Sequence, residues 1–159
     1  MLFATHLVAA ALIGKASKLP LPWLLAGAAV PDVVDKPLAM AGVVELFHAI
    51  GHSAVLAILV IPIALSGRAG LAAAIGWASH LLLDAAHIVI NGRPGDVPFL
   101  LWPVVVPADP LKLPPGEFLL YYLWTPSFFL EVGLWSALGV MLVTRWMRDE
   151  TDRSAAGVD

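Results

Sequence analysis

The chain has no cysteine, which excludes both a disulfide framework and a thiolate metal site. Any metal it holds must be held through nitrogen and oxygen. Charge is also scarce. Asp, Glu, Lys and Arg make up 13% of its 159 residues, against about 25% in a soluble domain. There is no basic block and the net charge is −3, so nucleic acid is not an evident partner. No histidine follows His87. Residues 1–14 have no basic n-region and no clear small-residue cleavage site follows them, so they do not read as a removed signal peptide. Internal repeats and low-complexity tracts are missing.

Hydrophobicity is abundant. Apolar residues make up 60% of the chain and the mean hydropathy is +0.86, where a soluble domain has about 45–50% apolar residues. The composition is that of an integral membrane protein. The expected fold is all-α: a polytopic membrane helical bundle of about four principal helices plus short half-helices. Residues 1–147 read as one domain, and residues 148–159 as a charged, disordered tail.

Taken in order, residues 1–14 predict a short helix carrying His6. Residues 19–30 predict a second short apolar piece, opened by Pro20 and Pro22 and ended by Pro31. Residues 38–50 carry Glu45 and His48, and His52 and Ser53 precede the apolar run 54–65. Ser66-Gly67-Arg68 reads as a tight turn into the run 69–90, which is long enough to span a bilayer. Residues 97–107, broken by three prolines, predict a re-entrant or interfacial loop that continues through 110–115. Residues 117–147 predict a long final helix, kinked near Pro126, with Glu131 inside it.

The run 69–90 organises the rest. At about 100° per residue, His80, Asp84 and His87 share a sector of roughly 60° on one face. Ionisable groups inside a membrane segment are costly, and they face a cavity, a partner or a metal rather than lipid. His80 and Asp84 are four residues apart, and so are His48 and His52. That spacing sets two ligands on one helical face. Two such pairs on the arms of one hairpin predict a shared metal site.

The individual residues keep alternatives. A lone histidine on an apolar face is more often a satisfied packing residue. Asp32 is a ligand or a helix cap. Asp35 is solvent-facing or an orienting residue, and Glu45 is a general base, an orienter or an interfacial charge. Ser53 reads as a helix cap rather than a nucleophile. Glu131 is a functional flag inside a membrane run, or a group that satisfies backbone freed by Pro126. The six tryptophans read as interfacial anchors and core.

The order Thr5-His6, Pro31-Asp32-Val33-Val34-Asp35, Phe47-His48, Gly51-His52-Ser53, Ser79-His80-Leu81-Leu82-Leu83-Asp84 and Leu100-Leu101-Trp102-Pro103 resembles the YdjM-type family. Those are inner-membrane-associated proteins assigned as metal-dependent hydrolases and also called LexA-binding. The resemblance covers residues 1–105 and rests chiefly on the His-Ser and His-x-x-x-Asp elements. The ligand order is also distantly similar to that of zinc-dependent phospholipases C. That similarity implies His6, Asp32, His52, His80 and Asp84 as ligands, with His87 as a further one. The chain departs from both patterns. Only three residues separate His48 from His52, and the later His-x-x-x-Glu pair of the phospholipases is missing.

The expected metal set is therefore His6, Asp32, His48, His52, His80, Asp84 and His87, with Asp35 or Glu45 as proton acceptor. The donors suit one or two Zn²⁺ ions, and also Mn²⁺ or Fe²⁺. The expected activity is hydrolysis of a phosphoester or phospholipid by metal-activated water, with membrane lipid as neighbour. The rivals are a metal-ion or proton transporter using the same side chains, and a non-catalytic protein with a structural metal. Lys15, Lys18, Arg68, Arg145, Arg148 and Arg153 are expected on one side, and Lys36, Arg93 and Lys112 on the other. The positive-inside rule then places the C-terminus in the cytoplasm of a prokaryotic inner membrane and the site toward the outer face.

Overall fold

Helix α1 spans Phe3–Ser17 and ends nearly one turn later than the sequence predicts. The computed structural model describes residues 1–106 and 113–155, and every regular element among them is helical. Helix α2 spans Leu21–Met40 and passes through Pro31 and Pro37. The expected stop at Pro31 is not there. A proline removes one backbone donor, but a helix tolerates the loss where neighbouring protein covers it. Helix α4 (Arg68–Ile90) lies against Gly27, one turn before Pro31, and Gly51 packs on Pro31 itself.

The close approach of α2 and α4 depends on two glycines. A Cβ on Gly27 would collide with the Ala73 carbonyl, and a Cβ on Gly76 with the Leu24 carbonyl. Around this crossing lies a core of Ala10, Leu24, Ala28 and Ala72. Small residues of this kind let membrane helices pack backbone to backbone. Gly76→Ala is expected to lower stability by about 1–3 kcal/mol, because backbone must move to admit the methyl group. Gly139→Ala, where nothing lies within 4 Å of the added Cβ, is expected to be neutral or slightly stabilising. Thermal unfolding of both variants in detergent separates tight crossing from general helix propensity.

Residues 41–53 form turns and bends, so His48 and His52 do not share the helical face that their spacing predicts. A 3₁₀ turn (Ala54–Leu56) leads into α3 (Ala57–Leu65), which buries none of its residues. The turn at Ser66 and Gly67 then folds α3 back against α4, as expected. A 3₁₀ segment (Pro94–Leu101) follows α4. The final apolar stretch is two helices rather than one kinked helix. Helix α5 spans Pro115–Tyr122 and α6 spans Pro126–Ala155. Trp124 has a φ of 76°, which no helix accommodates, and Pro126 opens α6 where a missing N–H costs nothing. Helix α6 continues through Arg148 to Ala155, so that part of the expected tail is helical. The expected loop at 107–112, with Lys112, and the tail at 156–159 lie outside the described residues.

Two helical stretches, Arg68–Ile90 and Pro126–Arg148, are long and apolar enough to cross a membrane. Phe3–Ser17 and Ala54–Leu65 are shorter apolar helices. Large apolar side chains cover the outer surface: Leu65 is 81% exposed, Ile58 70% and Leu82 70%.

Candidate metal centre

Four parts of the chain converge on one buried cluster. Helix α4 places His80 and Asp84 one turn apart, helix α1 contributes His6, and helix α2 contributes Asp32. The loop 41–53 contributes His48 and His52. Three overlapping groups result: His6 with His80 and Asp84, Asp32 with His52 and His80, and His48 with His52 and Asp84. The donor atoms in each group lie within 4.8 Å of one another. All six residues are buried except His48, whose side chain is 34% exposed.

Asp84 is the hub. Its Oδ1 lies 3.2 Å from His6 Nε2 and 3.1 Å from the Met1 amine. Its Oδ2 lies 3.1 Å from His80 Nε2, 3.3 Å from His52 Nε2 and 3.9 Å from His48 Nε2. Asp32 Oδ1 stands 3.6 Å from His52 Nε2 and 3.7 Å from His80 Nε2. Lys36, one turn along α2, pairs with the same Asp32 oxygen at 2.7 Å.

The far side of each central imidazole is already committed. His80 Nδ1 donates to the Ala28 carbonyl at 2.6 Å. His52 Nδ1 donates to Asp35 Oδ2 at 2.7 Å. Both acceptors lack a proton, so each neutral ring carries its hydrogen on Nδ1 and presents a lone pair at Nε2. Those two Nε2 atoms face each other at 3.1 Å, with carboxylate oxygens of Asp84 and Asp32 around them. Four acceptors converge on one another, and a proton or a metal ion between them relieves their repulsion. With protons alone, the relief falls on His52. Burial opposes its charge, but hydrogen bonds with Asp32, Asp35 and Asp84 outweigh burial and push its pKa up to about 10. A divalent ion fits the same nitrogen and oxygen donors. Histidine ligands fixed on their outer nitrogen by a carboxylate and a carbonyl are the usual support of a metal site.

Asp35 explains why the loop holds its shape without a helix. It is fully buried and accepts the backbone N–H groups of Ala49 (2.8 Å), Gly51 (2.8 Å) and His52 (3.2 Å). Gly51 packs against the backbone of Pro31, where a Cβ would not fit. Its carbonyl accepts from Trp77 Nε1 of α4 at 2.8 Å. The i, i+4 spacing of His48 and His52 is therefore not used on a helix face. The two rings are instead brought edge to face, 4.5 Å apart, by a loop wrapped around one carboxylate. Phe99 of the 3₁₀ segment lies over both rings.

Three further expectations differ from what is found. His87 belongs to none of the three groups. It lies nearly one turn beyond Asp84, hydrogen-bonds Ser127 Oγ through Nδ1 at 3.1 Å and stacks on Tyr122. Asp35 takes the orienting role, with both oxygens accepting loop N–H groups and Oδ2 also holding His52, and Glu45 is exposed and outside the groups. Ser53 caps nothing with its hydroxyl, which donates to the Trp102 carbonyl instead. Lys36 entered from sequence only as a basic residue on one side, without its pairing to Asp32, and nothing in the sequence pointed to Phe99. The pairing had a signal, the i, i+4 spacing of Lys36 from Asp32; Phe99 had none.

No family model, curated protein or solved structure matches this chain.

Proposed function

We propose that this protein is a membrane-bound, metal-dependent hydrolase acting on a phosphoester, with phospholipid as the favoured substrate class. The observation that carries the reading is the facing pair of His52 and His80 Nε2 atoms, set among carboxylates with both outer nitrogens anchored. When bound there, a zinc ion lowers the pKa of its water to about 7 and neutralises charge on phosphoryl oxygens. Zinc suits a site of histidine and carboxylate without thiolate, and Mn²⁺ or Fe²⁺ suit the same donors. The groups His6–His80–Asp84 and His48–His52–Asp84 share only Asp84, whose two oxygens could serve two ions. The partial exposure of His48 provides the approach for substrate. The order of site residues shared with the YdjM-type family favours the same chemistry.

The same proposal makes the chain a polytopic bundle in a prokaryotic inner membrane. Arg68 Nη2 donates to the Lys18 carbonyl at 2.8 Å, so the end of α1 and the start of α4 share one end of the bundle. Helix α6 runs alongside α1. Leu2 N–H donates to Glu131 Oε1, and Trp135 Nε1 donates to Thr5 Oγ1. Arg145 therefore stands ten residues beyond Trp135, as Lys15 stands ten beyond Thr5. The basic residues of three helices gather at one end, and the positive-inside rule makes that end cytoplasmic. Asp84 and the donors around it then lie toward the outer face.

Metal content of the detergent-purified protein tests the reading. One or two equivalents of zinc are expected in the wild type and none in His80→Ala. The metal-loaded wild type is then expected to cleave a chromogenic phosphodiester or phospholipid in mixed micelles. A wild type that takes up no metal from added zinc would sink the hydrolase reading. Ion or proton movement then becomes the favoured reading, served by the polar face of α4 from His80 through Asp84 to His87. Flux in proteoliposomes measures that directly.

A further inference from the structure

A second buried polar cluster lies beside the first, between α4, α5 and α6. It contains His87, Asn91, Tyr122, Ser127 and Glu131. His87, Tyr122, Ser127 and Glu131 are each at most 4% exposed. Ser127 ties the cluster together. Its N–H donates to Asn91 Oδ1 at 3.1 Å, and its hydroxyl pairs with His87 Nδ1 at 3.1 Å. Asn91 Nδ2, Tyr122 Oη and Glu131 Oε2 are buried with no hydrogen-bond partner. Buried polar atoms are almost always paired with protein or with ordered water. Three unpaired atoms in one cluster mark a place built to exchange hydrogen bonds.

Among the described buried carboxylates, Asp32 and Asp84 belong to the donor groups and Asp35 is fully engaged. Asp32 Oδ2 is also without a partner, but Asp32 is held to the donor groups through Oδ1; Glu131 is the carboxylate outside those groups with an oxygen that no partner engages. It also lies close to the site. Leu2 N–H donates to Glu131 Oε1 at 3.1 Å, and the preceding nitrogen, that of Met1, lies 3.1 Å from Asp84 Oδ1. One residue step spans at most about 3.8 Å, so the two carboxylate oxygens are no more than about 10 Å apart. Water molecules bridging that gap would connect Glu131 with the centre. Tyr122 faces Glu131 from α5, His87 and Asn91 line the cluster from α4, and Ser127 sits one turn before Glu131 on α6.

We propose that Glu131 is the carboxylate that accepts the proton of the attacking water. This rests on the hydrolase reading above and assigns the one role there that Asp35 and Glu45 do not fill. The step balances as follows. The water's O–H bond breaks and its proton passes to Glu131 Oε2, and the hydroxide oxygen forms a bond to phosphorus. The bond from phosphorus to the leaving oxygen breaks, and Glu131 returns the proton to that oxygen.

The test uses Glu131→Gln and Glu131→Asp in the full chain, with zinc as probe. Three readouts are taken: metal content, the shift of the infrared carboxylate bands on zinc loading, and hydrolysis of a chromogenic phosphodiester. Glutamine keeps the oxygen that accepts from Leu2, so the fold is expected to survive. Glu131→Gln should bind zinc like the wild type, lose one zinc-dependent carboxylate shift and hydrolyse about 10²–10⁴-fold more slowly. Glu131→Asp should recover part of that loss. Unchanged hydrolysis in Glu131→Gln overturns the proposal, because only the contact to Leu2 would then matter. Loss of zinc in Glu131→Gln also overturns it, by making Glu131 a ligand. A wild type without zinc fails the reading beneath it and the proposal together. A zinc-loaded wild type whose carboxylate bands show no shift that depends on Glu131 fails the proposal alone.

Discussion

Asp84→Asn is expected to abolish zinc binding while leaving the helical fold intact. Asp84→Ala is expected to abolish both zinc binding and much of the stability. The carboxylate faces four imidazoles and the Met1 amine. Asparagine has nearly the same shape but brings N–H donors to a place ringed by histidine lone pairs. In the metal-free protein those donors satisfy one or two Nε2 atoms, so the amide quiets the repulsion it inherits. It cannot supply the negative charge that holds a divalent ion. Alanine supplies neither charge nor donors. It leaves a void and a buried imidazolium at His52 with one carboxylate fewer. Removing one partner of a buried charged pair costs about 3–5 kcal/mol. Elemental analysis and thermal unfolding of the two variants, side by side, separate these effects. An asparagine variant that still carries a full equivalent of zinc would show that Asp84 is not the hub of the site.

The part of this site that could be read from sequence is the part carried by one helix. His80 and Asp84 meet because a helix turns every 3.6 residues, and no other element has to be known. Their burial followed from the apolar run around them. Asp32 and His6 were reachable only through residue order, since nothing local says that α1 and α2 approach α4 at those points. Pro31 misled because the rule that proline ends a helix assumes a solvated neighbour. Here α4 lies against α2 at Gly27, one turn earlier. His87 misled in the opposite way. It shares the helix face with Asp84, but its ring bonds to Ser127, forty residues away. A helical wheel gives angle and omits which partner reaches the ring. His48 and His52 had the right spacing for the wrong reason. Their loop is fixed by Asp35 through amides 14 to 17 residues distant, and no periodic pattern encodes such a contact.

That dependence on Asp35 carries the second large effect. Asp35→Ala is expected to weaken zinc binding by about 10–100-fold, although Asp35 touches none of the donor atoms that face the centre. Two losses add. The His52 ring loses the acceptor that fixes its hydrogen on Nδ1, so the tautomer with a proton at Nε2 becomes available and competes with metal. The loop also loses its organiser. The N–H groups of Ala49, Gly51 and His52 are left without an acceptor, and each buried orphan costs about 1–3 kcal/mol. The loop is then expected to open toward solvent and carry His48 and His52 away from α4. Hydrogen exchange gives the local reading: faster exchange at Ala49, Gly51 and His52, with the α2–α4 crossing around Leu24 and Ala72 still protected. Chelator competition gives the affinity. Asp35→Asn sharpens the comparison, because its amide oxygen still accepts from part of the loop and from His52 Nδ1 without contributing a charge. If the asparagine variant keeps most of the affinity and the alanine variant does not, Asp35 works through hydrogen-bond geometry. If both fall equally, its negative charge on His52 is what strengthens the ligand.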